Sequence, residues 1–394
     1  MKILSIDNLN VSERRVFLRV DFNVPFEDGK ILDDTRIRAA LPTINDLKNM
    51  GGRIVLATHF GRPKGERNLA YSTSIIGERL SEILNQDIVF PEDCGHAIVK
   101  KLSLGLKDGE ILLLENLRFW PGEEANQDDF AKKLAQYGDL YVNDAFGASH
   151  RAHASIVGVP KYLTHKGAGR LLMKEIEAFH SLLEAPKKPF IAILGGAKIS
   201  DKLRVISSLL DKVDALIIGG GMAYTFLKAG GAKIGSSMVD DTFLDKARQI
   251  LSKAKRHDVK MLLPVDHVIS TSLDGSGKIS ETKGVDIPDG WMGVDIGPKS
   301  LTLFSKEIRM ARTIVWNGPM GVFEKEPFHR GTFELAKIVA TTSAFSIVGG
   351  GDSVAAINKT GFSGRISHIS TGGGATLELL EGKILPGIKA LQVD

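Results

Sequence analysis

The sequence is poor in cysteine: Cys94 is the only one among 394 residues, so no intramolecular disulfide can form. A chain without disulfides fits a reducing compartment. No window approaches the ~18 consecutive apolar residues of a membrane-spanning helix. The opening stretch MKILSIDNLNVSERR has no apolar segment of signal-peptide length before its charges. These absences predict a cytoplasmic protein that does not enter a membrane.

Two common nucleotide-binding motifs are also missing. There is no G-x-x-x-x-G-K-[ST], since Gly277 and Lys278 lack both the earlier glycine and the following hydroxyl, and there is no G-x-G-x-x-G. A P-loop NTPase and a Rossmann dehydrogenase are therefore disfavoured. The 51 basic and 47 acidic residues leave a net charge of +4. That excess is too small and scattered to predict a nucleic-acid-binding protein.

Short apolar runs alternate with helix-like segments along the chain. The runs are continuous, as is typical of strands buried on both faces of a parallel sheet. This alternation favours an α/β architecture. A chain of 394 residues is longer than a single hydrophobic core usually supports, so we expect two domains. The runs are VFLRV (16–20), RIVLATH (53–59), ILLLEN (111–116), LYVNDAF (140–146), PFIAILG (189–195), ALIIGG (215–220), MLLPVDHVI (261–269), RTIVWNG (312–318), FSIVGG (345–350) and ISHIST (366–371).

A helix between the two sets of strands is predicted over residues 169–189. Leu172, Ile176, Phe179 and Leu183 recur there at three- or four-residue spacing, and prolines close the segment. Its position favours a connector between domains. A core helix inside one domain is the alternative.

Charged and amide side chains follow every strand predicted in the first half. The carboxyl ends of parallel strands meet at one edge, where open α/β folds bind ligands. Arginine donates bidentate hydrogen bonds to carboxylate or phosphate, so a small phosphorylated acid would explain several arginines converging there. Each residue alone could instead be a solvated arginine, a structural histidine or a turn-capping residue. The residues are Asp21, Asn23, Arg36, His59, Arg62, Arg118, His150, Arg151 and His153.

Glycine-rich turns follow five strands predicted in the second half. Glycine lets the backbone approach a phosphate closely, and free amides at a helix N-terminus bind anions. A lysine balances phosphate charge and an acid can hold Mg²⁺. Any one of these turns could be only a tight strand-to-helix connection. The segments are Gly195–Lys202, Gly219–Gly221, Asn317–Gly321 followed by Glu324, Gly349–Ser353 and Ser370–Gly374.

Eight segments together resemble the signature sequences of the phosphoglycerate kinase family. They occur in the family's order and span nearly the whole chain. Thr58 and Phe60 depart from the serine and leucine that the family often has around the intervening histidine, and neither change removes a charge. The segments are DFNVP (21–25), THFGRP (58–63), LLENLRF (113–119), NDAFGASHRAHAS (143–155), GGAKISDK (195–202), WNGPMGVFE (316–324), GGGDSVAA (349–356) and HISTGGGATLE (368–378).

The resemblance implies two Rossmann-like domains, each a parallel sheet flanked by helices, facing each other across a cleft. Residues 1–170 would bind phosphoglycerate, 171–188 would form the interdomain helix, 189–378 would bind the nucleotide, and 379–394 would pack back on the first domain. The implied enzyme is a monomer. It transfers a phosphoryl group between 1,3-bisphosphoglycerate and ADP in glycolysis, with Mg²⁺ on the nucleotide.

The resemblance also implies a role for each candidate residue. Phosphoglycerate would be bound by Asp21, Asn23, Arg36, His59, Arg62, Arg118 and Arg151. The nucleotide would be bound by Lys202, Gly219, Gly220, Gly293, Asn317, Glu324, Gly350, Gly351, Asp352 and Ser353. Asp352 would contact Mg²⁺. The phosphoryl group in transfer would be contacted by Arg36, Lys198, Gly373 and Gly374.

Two rival functions make different predictions. A non-catalytic nucleotide or polyanion sensor on the same fold would bind ATP without forming it from an acyl phosphate. An NAD-dependent oxidoreductase would need a G-x-G-x-x-G followed by an acid ~20 residues later. The first rival leaves Arg36 and Lys198 unexplained, and the second lacks its motif.

Overall fold

The computed structural model describes residues 2–91 and 95–393, so Cys94 lies outside the described part of the chain. The chain forms two compact units. The first comprises Met1–Glu177 with Ile384–Asp394, and the second comprises Ala178–Lys383. The division falls inside the helix Arg170–Leu183. The domain boundaries expected from the sequence stay predictions.

Strands and helices alternate through both units, as predicted. In the described residues the strands are β1 Lys2–Ile3, β2 Arg15–Arg19, β3 Phe26–Glu27, β4 Lys30–Ile31, β5 Arg53–Ala57, β6 Ile111–Leu113, β7 Leu140–Asn143, β8 Lys166–Ala168, β9 Phe190–Leu194, β10 Ala215–Ile218, β11 Lys260–Leu262, β12 His267–Ser270, β13 Ile279–Glu281, β14 Met292–Ile296, β15 Thr313–Asn317, β16 Phe345–Gly349, β17 His368–Ile369 and β18 Gln392–Val393.

The α-helices give the same alternation, and in the described residues none is both long and apolar enough to cross a bilayer. They are α1 Thr35–Asn49, α2 Ser74–Leu84, α3 His96–Gly105, α4 Pro121–Glu124, α5 Asp128–Ala135, α6 Arg170–Leu183, α7 Leu203–Leu209, α8 Met222–Ala229, α9 Leu244–Arg256, α10 Pro298–Met310, α11 Arg330–Thr341, α12 Gly351–Thr360, α13 Gly373–Leu380 and α14 Pro386–Lys389.

A parallel sheet forms the centre of the first unit. Over the described residues its strand order is β6–β5–β2–β7–β8. Successive side chains of a strand point to opposite faces. Val16 and Leu18 of β2 therefore pack into one core with Ile44 of α1, while Phe17 stacks on Tyr141 of β7 with ring centroids 6.1 Å apart. Burial on both faces explains why this strand reads as a continuous apolar run.

A second parallel sheet, in the order β11–β10–β9–β15–β16–β17, forms the centre of the second unit. Ile191 and Ile193 of β9 and Trp316 of β15 share a core with Phe304 of α10 and Leu335 of α11. The α/β prediction with parallel sheets is confirmed.

The segment MLLPVDHVI does not form the single parallel strand that its apolar run predicts. Pro264 lacks a backbone N–H and interrupts the run, so β11 ends at Leu262 and β12 begins at His267. β12 instead pairs antiparallel with β13 and β14. The Asp266 carboxylate anchors the turn, accepting from the amides of Lys299 and Ser300 at 2.9 and 2.7 Å.

The end of the chain belongs to the first unit. β18 pairs antiparallel with β1, with Lys2 opposite Val393. The amide of Gly387 donates to the Ser149 carbonyl at 2.8 Å, and Leu385 and Leu391 are fully buried. These contacts make the last residues part of the first unit's core.

We predict that Leu391→Ala lowers the free energy of unfolding by about 2–5 kcal/mol, because it removes a fully buried side chain and leaves a cavity. Ile384→Ala is the matched control, since Ile384 lies in the same segment and is 64% exposed. It should change stability by no more than about 0.5 kcal/mol. Urea unfolding followed by circular dichroism measures both. Equal effects of the two substitutions would contradict this account of the segment.

Candidate functional site

Polar side chains lie just beyond the carboxyl ends of β2 and β5. Asp21 and His59 each stand two residues past the end of their strand. The Oδ2 atom of Asp21 accepts a hydrogen bond from Arg36 Nη1 at 2.6 Å, and its Oδ1 atom lies 3.9 Å from His59 Nε2. Arg36 is in the first turn of α1. The fold therefore brings Arg36 and His59 to opposite oxygens of one carboxylate.

Gly61 joins Asn23 to Arg118. Its amide donates to Asn23 Oδ1 at 2.8 Å, and its carbonyl accepts from Arg118 Nη1 at 2.7 Å. Gly61 has a φ of +60°, and an added Cβ would lie 2.2 Å from Tyr71 Cδ1, so no other residue fits without a shift. The loops after β2, β5 and β6 are thus held together at a single glycine.

Arg118 is a buried cation with spare hydrogen-bonding capacity. Its side chain is 3% exposed, and its Nε atom lies 3.0 Å from Glu124 Oε1. Its Nη2 atom has no hydrogen-bond partner within the described residues. Burial, with the charge of Arg151, lowers the pKa of Arg118 to about 10, which still leaves it charged at neutral pH. A buried, partly unpaired guanidinium is suited to receive an anion.

The imidazole of His59 and the carboxyl group of Asp21 differ in charge. Burial lowers the pKa of His59 well below its usual value; Asp21 opposes this, and Arg19 adds to it. His59 is therefore neutral. Burial acts to raise the pKa of Asp21, but its interactions with His59, Arg36 and Arg19 and a hydrogen bond from the Asn23 amide together hold that pKa below its usual range. The site thus pairs a neutral imidazole with a carboxylate.

The remaining predicted residues of the first unit lie farther out. Arg62 is exposed, and Arg151 and His150 are half-buried. Burial and the charges of Arg19, Arg118 and Arg151 lower the pKa of His153 to about 3, so His153 is neutral too. The Arg151 charge therefore acts on the same cluster as Arg118.

Our sequence reasoning missed a polar group behind these residues. Arg19, Glu123 and Ser155 are fully buried. Arg19 Nε donates to Ser155 Oγ at 2.7 Å, and Ser155 Oγ donates to Glu123 Oε1 at 2.6 Å. One signal was present: Arg19 is the only charged residue of the run VFLRV, and a charge buried in a strand needs partners.

In the second unit, three helices begin soon after strands of the parallel sheet and have glycine before their first residue. α8 follows Gly221, α12 follows Gly350 and α13 follows Gly372. The first amides of a helix have no partner within the helix and carry partial positive charge. An added Cβ at Gly351 or Gly373 would meet nothing within 4 Å, and Gly374 is exposed. The backbone at α12 and α13 is therefore open to a ligand.

Lys202 is a buried cation of the second unit. Its Nζ atom donates to the carbonyls of Gly195 and Asn317 at 2.6 and 2.9 Å. Burial lowers the pKa of Lys202 to about 8, although the charges of Asp352 and Asp201 oppose the shift. An ammonium has three donors, so the two carbonyls leave capacity for one further acceptor.

Asn317, Ser353 and the glycines after β16 surround this lysine. Asn317 Nδ2 donates to the Gly349 carbonyl at 3.0 Å, and Ser353 Oγ accepts from the Gly318 amide at 2.5 Å. A Cβ on Gly350 would lie 2.9 Å from Asn317 Nδ2. The fold thus brings Lys202, Asn317, Gly350 and Ser353 together.

Gly219 and Gly220 border this group, and Gly293 lies apart from it. The Gly220 amide donates to the Met320 carbonyl at 2.9 Å, and a Cβ on Gly220 would lie 2.6 Å from the Gly196 nitrogen. Gly293 is in β14, where an added Cβ would lie 1.8 Å from Tyr224 Oη. Tyr224 is on α8, so that helix links Gly293 to the turn after β10.

Three charged residues predicted for the site of the second unit are exposed: Lys198, Glu324 and Asp352. Within the described residues no hydrogen bond or ion pair ties Lys198 or Glu324 to Lys202. Asp352 lies in the first turn of α12, and its charge acts on Lys202.

Comparison with known proteins identifies what the chain is similar to. Residues 6–383 match the sequence profile of a family described as phosphoglycerate kinase. The chain is 51% identical over 393 residues to a phosphoglycerate kinase of Borrelia hermsii, covering 100% of both chains. It is 52% identical over 401 residues to that of Acidobacterium capsulatum, covering 99% of each.

Two solved structures of phosphoglycerate kinases are similar to this chain in fold. Phosphoglycerate kinase from Coxiella burnetii matches with a TM-score of 0.90 and 42% identity over 99% of both chains. The enzyme from Pyrococcus horikoshii matches with a TM-score of 0.82 and 36% identity, over 99% of this chain and 98% of that one. The family resemblance of the eight segments is confirmed.

We predict that Gly318→Ala destabilises the second unit by at least about 1–3 kcal/mol, because Gly318 has a φ of +99° that side chains rarely adopt. The added Cβ would also lie 2.3 Å from the Gly195 carbonyl oxygen and 2.5 Å from Lys202 Nζ. Gly364→Ala is the control, because nothing lies within 4 Å of that position. Urea unfolding measures both variants. If Gly318→Ala were as stable as Gly364→Ala, the predicted strain at position 318 would be refuted.

Proposed function

Because the chain belongs to the phosphoglycerate kinase family, we propose that its first unit binds phosphoglycerate and its second unit binds the nucleotide. The protein is a phosphotransferase with a carboxyl group as acceptor. It catalyses reversible phosphoryl transfer from 1,3-bisphosphoglycerate to ADP, giving 3-phosphoglycerate and ATP, in glycolysis. The proposed ranges are 1–170 for phosphoglycerate, 171–188 for the connecting helix, 189–378 for the nucleotide and 379–394 for the segment returning to the first domain.

The observation that carries the phosphoglycerate site is the buried guanidinium of Arg118. Its Nη2 atom has no partner within the described residues, and the neighbouring charges of Arg151 and Arg19 make the region more positive. A phosphate group would pair with this charge and fill the open donor. We assign the phosphate to His59, Arg62, Arg118 and Arg151.

Asp21 and Asn23 would hold the glycerate part of the same ligand. The ionised Asp21 carboxylate can accept from the glycerate hydroxyl, and the Asn23 amide nitrogen can donate to it. Arg36 is bonded to Asp21 at 2.6 Å while its side chain is still 36% exposed. That exposure leaves the guanidinium free to contact the acyl phosphate oxygen.

The nucleotide phosphates would lie against α12 and α13. Lys202, Asn317 and Ser353 supply donors close to the Gly350 and Gly351 backbone, and helix N-termini attract phosphate. We assign the ribose to Glu324. Gly219, Gly220 and Gly293 would shape the adenine slot.

Asp352 would hold Mg²⁺ together with the nucleotide phosphates. Mg²⁺ is usually bound through one or two carboxylates plus substrate phosphates rather than by an all-protein cage. The donor set fits this pattern: Asp352 is exposed in the first turn of α12, and the described residues contain no cluster of three or more potential metal ligands. The ion would neutralise charge on the phosphates.

The chemistry needs positioning and electrostatic stabilisation more than proton transfer. A carboxylate acceptor is already ionised at neutral pH, so no general base is required. Charge spreads over the equatorial oxygens of the transferred group. Arg36, Lys198 and the amides of Gly373 and Gly374 would stabilise that charge. Because an acyl phosphate hydrolyses in water, we propose that domain closure excludes solvent during transfer.

We also propose that the enzyme acts as a cytoplasmic monomer. The glycolytic reaction supports the location. Sedimentation of the purified protein at micromolar concentration tests the monomeric state.

Arg36→Ala and Lys198→Ala should each lower kcat by about 10²-fold or more, as for loss of a preorganised donor to the transition state. Arg38→Ala and Lys246→Ala are matched controls: Arg38 is exposed on the same helix and paired with Asp34, and Lys246 is exposed on α9. A coupled assay of ATP-dependent phosphorylation of 3-phosphoglycerate measures all four. Near-normal turnover in both test variants would exclude these catalytic assignments.

ADP binding at pH 8 should take up protons, because the pKa of Lys202 is about 8 in the free protein and a bound polyphosphate would raise it. Affinity should therefore fall as pH rises from 7 to 9.5. Calorimetry in two buffers of different ionisation enthalpy measures the proton uptake. Lys202→Met should abolish it, whereas Lys246→Met should not. Uptake that persists unchanged in Lys202→Met would assign the titration to another group.

A further inference from the structure

A chain of buried hydrogen bonds runs from Glu123 to the imidazole of His59. Glu123 Oε1 accepts from Ser155 Oγ at 2.6 Å, and Glu123 Oε2 accepts from the Ser155 amide at 2.9 Å. Ser155 Oγ accepts from Arg19 Nε at 2.7 Å. Arg19 Nη2 lies 3.2 Å from His59 Nδ1. Glu123, Ser155 and Arg19 are fully buried, and His59 is 5% exposed.

The direction of each bond follows from the chemistry of arginine. A guanidinium has N–H donors and no acceptor. Ser155 Oγ must therefore accept from Arg19, and its single proton goes to Glu123. For the same reason His59 Nδ1 must offer a lone pair to Arg19, so the proton of the neutral ring is on Nε2.

We propose that Arg19, held by Ser155 and Glu123, is a positioning residue that fixes His59 as its Nε2–H tautomer. The ring then presents a donor on the side of Asp21 Oδ1, 3.9 Å away. In the other tautomer an Nε2 lone pair would face that carboxylate, and an Nδ1–H would face the N–H of Arg19. Both contacts would be repulsive.

The consequence for binding rests on the proposed role of His59 toward the phosphate. An Nε2–H can donate to an anionic oxygen, whereas an Nε2 lone pair would repel it. Tyr141 also helps to hold Ser155 in place, since its hydroxyl donates to the Ser155 carbonyl at 2.9 Å. Burial, together with the charges of Arg19, Arg118 and Arg151, disfavours a second proton on the ring and outweighs the opposing charge of Asp21.

Long-range ¹⁵N–¹H NMR of the unmodified, ligand-free full chain tests the tautomer directly. The His59 signals are assigned by their loss in His59→Gln. We expect a pyridine-type Nδ1 and a pyrrole-type Nε2, both unchanged between pH 6 and 8. A protonated Nδ1, or the averaged shifts of an imidazolium, would overturn the proposal. This measurement does not require any variant of Arg19, Ser155 or Glu123 to fold.

Ser155→Ala tests the positioning role. It removes the acceptor of Arg19 Nε, so the His59 nitrogen shifts should move toward an average of both tautomers. The KM for 3-phosphoglycerate should rise about 10-fold, the effect of one lost hydrogen bond, with the KM for ATP unchanged. Ser149→Ala is the control, because Ser149 is buried in the same unit but its hydroxyl donates to the Ala145 carbonyl. Unchanged shifts and KM in Ser155→Ala would overturn the role.

Adding 3-phosphoglycerate separates this inference from the proposed function. If the Nε2–H tautomer is present and the His59 signals shift on binding, both stand. If the tautomer is present but saturating ligand leaves the signals unmoved, the chain of bonds is supported and the assignment of the phosphate to His59 is refuted.

Discussion

Buried positive charge at one end of the first unit's sheet is the constraint on which its site depends. Arg19 and Arg118 are almost completely removed from water, and an unpaired ion in a protein interior costs several kcal/mol. Asp21, Glu123 and Glu124 offset part of that cost. Within the described residues Arg118 Nη2 stays without a partner, so a bound anion would complete the pairing. Burial, with the charges of Arg19 and Arg118, keeps His59 neutral, so that it acts as a directional hydrogen-bond donor and not as a cation.

The second unit uses similar sheet architecture with different chemistry. Its candidate phosphate site relies on backbone amides at the starts of α12 and α13, and amides need no buried counter-ion. Its one buried cation among the predicted site residues, Lys202, is bonded to two carbonyls rather than to an acid. Burial lowers its pKa, which makes its protonation sensitive to a bound ligand. The charges of the first unit are therefore present before a ligand binds. In the second unit, a bound ligand would favour the protonated form of Lys202.

Much of this arrangement could be predicted from the sequence. Continuous apolar runs predicted the parallel strands, and strand ends pointed to Asp21, His59, Lys202 and Asn317. The antiparallel sheet around β12 was not predicted, because the break at Pro264 lies inside one apolar run. Arg19 was missed because its partners Glu123 and Ser155 are distant in the chain. Contacts of such long range leave no local pattern.

The sequence by itself determined the family, the α/β class and the kinds of side chain at each strand end, because these depend on local pattern and residue type. Only the tertiary structure decided which atoms meet: Arg36 and His59 on opposite oxygens of Asp21, and Arg118 joined to Asn23 through Gly61. It also decided the charge states and the ring proton of His59. Burial and partners from remote segments set those properties, and both exist only after the chain has folded.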